Sequence, residues 1–269
     1  MPRNAVRNGH MAASELRALI FDMDGTLADT ERDGHRVAFN RAFRDFGLDW
    51  EWDVATYGEL LRVSGGKERL ARYIERYRPD FPAAGRDDLI GRLHRAKTAR
   101  FAEILESGGM PLRPGVARLI AEARAAGLLL AIATTAAFDA VLALLRTSLG
   151  PDSPDWFDAI GAGETVARKK PAPDVYLWAL ARLGLAPDEA LVIEDSRNGL
   201  LAARGAGLPT IVTASDYTRQ EDFAGARLVI SDLGEPALPF RVLAGDALGF
   251  HHASLTAARA WLAAAGATL

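Results

Sequence analysis

Four short stretches of the chain are apolar at almost every position: LRALIF at residues 16–21, LLLAIA at 128–133, ALVIE at 190–194 and PTIVT at 209–213. Hydrophobic positions in them run on without polar alternation, the pattern of strands covered on both faces of a parallel sheet. The intervening segments follow a helical period instead. Residues 114–126 place Val116, Leu119, Ile120 and Ala123 on one side, and residues 137–149, 173–183 and 198–206 also read as helices. Strand alternating with helix predicts an α/β, doubly wound, Rossmann-like parallel core. A shorter apolar segment at 159–162 and an edge strand at 228–230 complete the expected sheet.

Residues 33–106 break the alternation. They are dense in charge and aromatic residues, read as several helices, and begin directly behind the first strand, where an insertion emerges above the carboxyl ends of the sheet. The pattern predicts an inserted helical cap domain, with Gly108, Gly109, Pro111 and Pro114 marking the return to the core. The expected organisation is a flexible leader at 1–13, a core at 14–32 and 107–240, a cap at 33–106 and a C-terminal helical extension at 241–269. In that extension an Ala-rich helix from about residue 254 to 265 carries Leu255, Ala258, Trp261 and Leu262 on one side, a stripe expected to dock on the core or on a second copy.

Composition narrows the function classes. The 269 residues, 49% of them hydrophobic, suffice for a core plus a smaller domain. Lys and Arg number 32 against 35 Asp and Glu, so nothing in the overall charge calls for nucleic acid or an anionic membrane. The absence of cysteine removes disulfides, thiolate catalysis and thiolate metal centres, leaving oxygen or histidine ligands for any metal. No apolar stretch reaches the ~18 residues of a membrane helix. The basic N-terminal segment also lacks the apolar run of a secretory signal. A soluble, cytoplasmic protein acting on a small molecule is expected, monomeric unless the C-terminal helix pairs two copies; His251 and His252 read as solvated.

Polar clusters stand where the apolar runs end. Asp22 and Asp24 follow the first, Thr134 and Thr135 the second, and Glu194 closes the third before Asp195; Lys169 and Lys170 precede a helix beyond the 159–162 segment. In an open parallel sheet these ends share one crevice. Taken singly, each cluster reads as a turn, a cap or a solvated side chain. Together, carboxylates from two strand ends with no histidine or cysteine among them make a hard oxygen site suited to Mg²⁺. The lysine and threonine beside it suit the oxygens of a phosphoryl group. A carboxylate there can attack phosphorus, while a second, two residues on, protonates the leaving oxygen and then activates water. Gly25 lets the chain turn so that both point inward.

DMDGT at residues 22–26, Thr134, Lys170 before PAPD, and Glu194-Asp195-Ser196 resemble, in order and context, the four motifs of the haloacid dehalogenase superfamily. An insertion behind the first motif is similar to the type 1 helical cap of that family. The resemblance implies Asp22 as nucleophile, Asp24 as general acid and base, and Mg²⁺ held by Asp22, the Asp24 carbonyl, Asp195 and Glu194. It further implies Thr134 and Lys170 as holders of the phosphoryl oxygens, with Asn198 orienting the site. Asp24 argues against dehalogenation, since dehalogenases lack the second aspartate of the first motif.

The cap segments YGELLRVSGGKERLARY from Tyr57 and HRAKTARF from His94 resemble the CbbY-type branch, which implies hydrolysis of xylulose-1,5-bisphosphate, an inhibitor of Rubisco. Alternatives are a phosphohexomutase similar to β-phosphoglucomutase, a broad sugar-phosphate phosphatase and, least favoured, a non-catalytic binding protein. Within the cap, Lys97 falls on a stripe otherwise formed by Ile90, Leu93, Phe101 and Ile104, where a lysine needs an anion or a route to solvent. Gly65-Gly66-Lys67 with Arg69 reads either as a donor loop for a distal phosphate or as a helix start with solvated charges. His94 and Arg100 are weaker candidates on the Lys97 segment. Glu31 and His35, four apart, face one way and are expected to meet sugar hydroxyls, with Tyr57 as a wall and Thr135 beside Thr134. Ala136 and Ala137 stand where a further hydroxyl is expected in relatives.

Overall fold

The computed structural model describes residues 15–63, 65–108 and 110–264; the expected leader lies outside them. One sheet holds β1 (Ala18–Phe21), β2 (Leu129–Ala133), β3 (Ala159–Gly161), β4 (Ala190–Glu194), β5 (Thr210–Thr213), β6 (Leu228–Ile230) and β7 (Val242–Gly245). The order is β3-β2-β1-β4-β5-β6-β7. The first six strands are parallel and β7 is antiparallel to β6. Residues 228–230 are therefore an inner strand: β7, whose RVLAG sequence lacks a strong strand pattern, takes the edge position expected of them.

Helices α1 (Arg36–Asp45), α2 (Val54–Leu60), α3 (Gly66–Tyr77) and α4 (Arg86–Glu106) form the insertion. The core adds α5 (Val116–Ala125), α6 (Phe138–Leu149), α7 (Asp174–Leu183), α8 (Arg197–Gly205) and α9 (Leu255–Ala263). Alternate residues of each inner strand face opposite layers, which explains the unbroken apolar runs. Leu19, Phe21, Leu130, Ile132, Leu191 and Ile193 pack toward α5, α6 and α9, while Ala18, Ile20, Ala131, Ala133, Ala190 and Val192 pack toward α7 and α8.

The insertion has an aromatic core of its own, including Phe39, Phe43, Trp50, Trp52, Tyr57 and Tyr73. Helix α4 crosses between the two: Leu93 belongs to the aromatic cluster, whereas Ile104 and Leu105 belong to the cluster under the sheet. The α9 stripe of Leu255, Ala258, Trp261 and Leu262 is buried in that same cluster, so it docks on the core of its own chain. No helix among the described residues is long and apolar enough to cross a membrane.

Candidate active site

The register aligns Phe21 with Ile132 on one side and Ile193 on the other, so β1, β2 and β4 end together. Asp22, Glu194 and Asp195 are buried there and offer carboxylate oxygens within 4.8 Å of one another. Lys170 Nζ reaches in from the segment before α7, donating to Asp22 Oδ1 at 2.6 Å and Glu194 Oε1 at 2.5 Å. Glu194 is engaged on both oxygens: Oε1 also accepts from the Tyr176 hydroxyl at 2.9 Å, and Oε2 from the backbone N–H groups of Asp195 and Ser196 at 3.0 and 3.2 Å. Close packing under this carboxylate requires Gly199, where a Cβ would fall on Glu194 itself.

One ammonium among three buried carboxylates leaves excess negative charge. Burial raises the Asp22 pKa to about 7, with Glu194 and Asp24 adding to the rise against the pull of Lys170. Burial likewise lifts Asp195 well above the carboxylate range, with Glu194 and Asp22 contributing. A compact set of hard oxygen donors with surplus negative charge fits a divalent cation such as Mg²⁺.

Asp24 is half-buried, accepts from Thr30 Oγ1 at 2.5 Å, and has its pKa raised by burial, a setting that favours a carboxyl able to hold a proton. Gly25 adopts φ +80°, and a Cβ on it would strike the Asp195 carboxylate. Thr134 is buried and its hydroxyl accepts from the Ala136 N–H at 3.1 Å.

Two cavities meet at these residues. One, about 470 Å³, is lined by Asp22, Asp24, Glu31, Arg62, Arg69, Thr135, Lys170, Asp195, Asn198 and Tyr217 among others. A second, about 520 Å³, runs between α4 and α6 and shares Asp24, Glu31 and Thr135 while adding His35, Lys97 and Phe101. Across their junction Glu31 and side chains of the insertion form a linked polar set. Glu31 Oε2 accepts from the Tyr57 hydroxyl at 2.5 Å, which accepts from Arg69 Nη1 at 2.8 Å. Lys97 Nζ lies 2.9 Å from His35 Nδ1 and about 5 Å from the centres of the Phe39 and Phe101 rings.

Burial pushes Lys97 down to about 8 although Glu31 and Asp24 pull upward. Burial also depresses His35 to about 4, against the upward pull of Glu31. Because the folded pKa lies below the ordinary 6.5, full stability is present above about pH 6.5 and drains away as pH falls toward 4, by up to ~3 kcal/mol. The urea midpoint of wild type is therefore expected to fall more steeply between pH 7.5 and 4.5 than that of His35→Gln; equal slopes contradict it.

Other expected residues sit elsewhere. Gly66 opens helix α3 rather than lying in a donor loop, because Gly65 at φ +92° turns the chain straight into the helix. Lys67 is exposed in its first turn and lines neither cavity. His94 packs its ring against Gly66. Arg100 faces outward, held by Asp45 and Glu103, each at 2.8 Å. Arg62, Tyr217 and Thr218 also line the crevice without any sequence signal of their own, Thr218 Oγ1 lying 3.4 Å from Asp195 Oδ2. These polar residues stand outside any strand-end motif, and only the fold brings them to the crevice.

The family model for haloacid dehalogenase-like hydrolases matches residues 16–207, the span that carries β1, the insertion, β2, Lys170 and β4. This chain belongs to the haloacid dehalogenase-like hydrolases. The hydrolase is 51% identical to protein CbbY of Cupriavidus necator over 247 residues, covering 91% of this chain and 96% of that one. Its fold matches the crystal structure of a mutant CbbY from Rhodobacter sphaeroides in complex with xylulose-1,5-bisphosphate with a TM-score of 0.67 and 47% identity, covering 82% and 98% of the two chains. Hexitol phosphatase B of Escherichia coli is 28% identical over 87% of this chain and 98% of its own. The hydrolase is of the phosphatase type.

Proposed function

We propose that this hydrolase removes one phosphate from a small sugar bisphosphate, xylulose-1,5-bisphosphate, with Mg²⁺ as cofactor, and so clears an inhibitor of Rubisco. The observation that carries the reading is the bound bisphosphate in the Rhodobacter relative, which is 47% identical across 82% of this chain. In support, the cavity beside Asp22 and Lys170 extends to further cations, Arg62 and Arg69.

Asp22 attacks phosphorus through a carboxylate oxygen, and the bond from phosphorus to the ester oxygen breaks. Asp24, held by Thr30, gives its proton to the departing alcohol. Deprotonated Asp24 then takes a proton from water, whose oxygen attacks the aspartyl-phosphate, freeing phosphate and restoring Asp22. Lys170 neutralises charge at Asp22 throughout. The carboxylates of Asp22, Glu194 and Asp195 with the Asp24 carbonyl would hold Mg²⁺, which when bound stabilises negative charge on the phosphoryl oxygens. The Tyr57-Glu31-Arg69 set and Lys97 orient the sugar and its second phosphate.

Arg69→Ala and Lys97→Ala are expected to raise KM for xylulose-1,5-bisphosphate by about tenfold or more, with a much smaller rise for β-glucose 1-phosphate. Equal rises for both substrates would remove the distal-phosphate assignment.

A further inference from the structure

The turn bearing Asp22 and Asp24, the Glu194–Asp195 strand end and the segment after β5 belong to different strands, and one buried side chain ties them together. Arg113 lies on the return from the insertion and is 8% exposed. Its backbone N–H donates to the Leu27 carbonyl at 2.8 Å, and Leu112 bridges Ala28, so the two crossings between insertion and core run side by side. From that hinge the guanidinium enters the core. Nη1 donates to the Gly25 carbonyl, to the Thr213 carbonyl at 2.7 Å and to Thr213 Oγ1 at 3.1 Å. Nη2 donates to the carbonyls of Ala214 at 3.2 Å and Ser231 at 2.6 Å, and Nε faces Asp29 at 3.6 Å. Thr213 Oγ1 in turn donates to the Glu194 carbonyl at 3.3 Å.

We infer that Arg113 is a positioning residue for phosphoryl transfer, locking the ends of β1, β4, β5 and β6 to the hinge of the insertion. The guanidinium touches neither reacting carboxylate. It fixes the Gly25 carbonyl, and Gly25 lies so close to Asp195 that a shift of this turn displaces the Asp195 carboxylate as well. A planar fork serves several carbonyls in set directions, which a lysine ammonium does not. The inference rests on Asp22 and Asp24 as the reacting carboxylates and is independent of which phosphate ester is the natural substrate.

The test is Arg113→Lys and Arg113→Ala in the full chain, assayed on xylulose-1,5-bisphosphate and p-nitrophenyl phosphate well below each thermal midpoint. For both variants kcat is expected to fall about 30-fold or more while KM stays within about threefold. Arg113 lines a cavity of about 310 Å³ with Arg32, Asp232 and Arg241, so millimolar methylguanidinium is expected to enter and restore kcat of Arg113→Ala without changing wild type. Should Arg113→Ala fail to fold, Thr213→Val, which removes the hydroxyl between Arg113 and the Glu194 carbonyl but leaves the bonds of Arg113 to backbone carbonyls, is expected to lower kcat about threefold to tenfold at constant KM. Folded Arg113→Lys with wild-type kcat, or with a rise in KM alone, would overturn the inference. Wild-type protein that neither releases phosphate from either ester nor forms an aspartyl-phosphate from one would overturn the phosphoryl-transfer reading and this inference with it.

Discussion

Asp22→Asn is expected to lower phosphate release by at least about 10⁴-fold while leaving the protein folded, because an amide oxygen cannot form the aspartyl-phosphate. Burial and the neighbouring carboxylates push the folded pKa of Asp22 up to about 7, so its ionised form is disfavoured in the folded state above the ordinary carboxylate range. The amide relieves that repulsion, and Glu194 still holds Lys170 at 2.5 Å. In metal-free buffer the thermal midpoint of Asp22→Asn is therefore expected to exceed that of wild type by about 2 °C or more. Calorimetry alongside a phosphate-release assay checks both halves; a folded variant that retains turnover removes Asp22 as nucleophile.

The second large effect belongs to Lys170. Its ammonium is the cation in direct contact with Asp22 and Glu194, at 2.6 and 2.5 Å, and both partners are buried. Lys170→Met leaves those carboxylates and Asp195 without it. Removing the cation from a buried set that already carries surplus negative charge costs about 3–5 kcal/mol, which at this chain length is a drop in midpoint of roughly 10 °C. Turnover is expected to fall at least about 10³-fold, since the phosphoryl oxygens lose a fixed positive charge. Added Mg²⁺ is expected to raise the midpoint of Lys170→Met more than that of wild type, because it restores positive charge where the ammonium is missing. A midpoint unchanged by the substitution would show that the cluster does not depend on this ion pair.

Much of the core site was legible because of how parallel sheets are built. Apolar runs covered on both faces, each ending in polar residues, leave only one place for those residues to converge, and Asp22, Lys170, Glu194 and Asp195 meet there. Lys97 stood out for a related reason: on an otherwise apolar stripe a lysine needs an anion or a route to solvent, and here its Nζ turns inward to meet His35 between two phenyl rings.

Other parts carried no local signal. Lys67 and Arg69 lie two residues apart, but the turn at Gly65 starts a helix that sends one to solvent and the other toward Tyr57. Strand β7 owes its pairing to the exposed edge of β6 rather than to its own RVLAG pattern. Arg113 reads as one more arginine before a proline, since its guanidinium bonds are to backbone carbonyls and the Thr213 hydroxyl, groups 88 to 118 residues away in sequence.

An aspartate-based phosphatase whose inserted helices select a sugar bisphosphate must discriminate between phosphate esters at the level of kcat/KM. Its most direct test is the rate of phosphate release, with Mg²⁺ present, from xylulose-1,5-bisphosphate, ribulose-1,5-bisphosphate and β-glucose 1-phosphate, with Asp22→Asn as the blank. The kcat/KM for xylulose-1,5-bisphosphate is expected to be at least about 100-fold above either of the others. Similar low rates on all three would contradict bisphosphate selection, and conversion of β-glucose 1-phosphate to glucose 6-phosphate without net phosphate release would replace the phosphatase with a mutase.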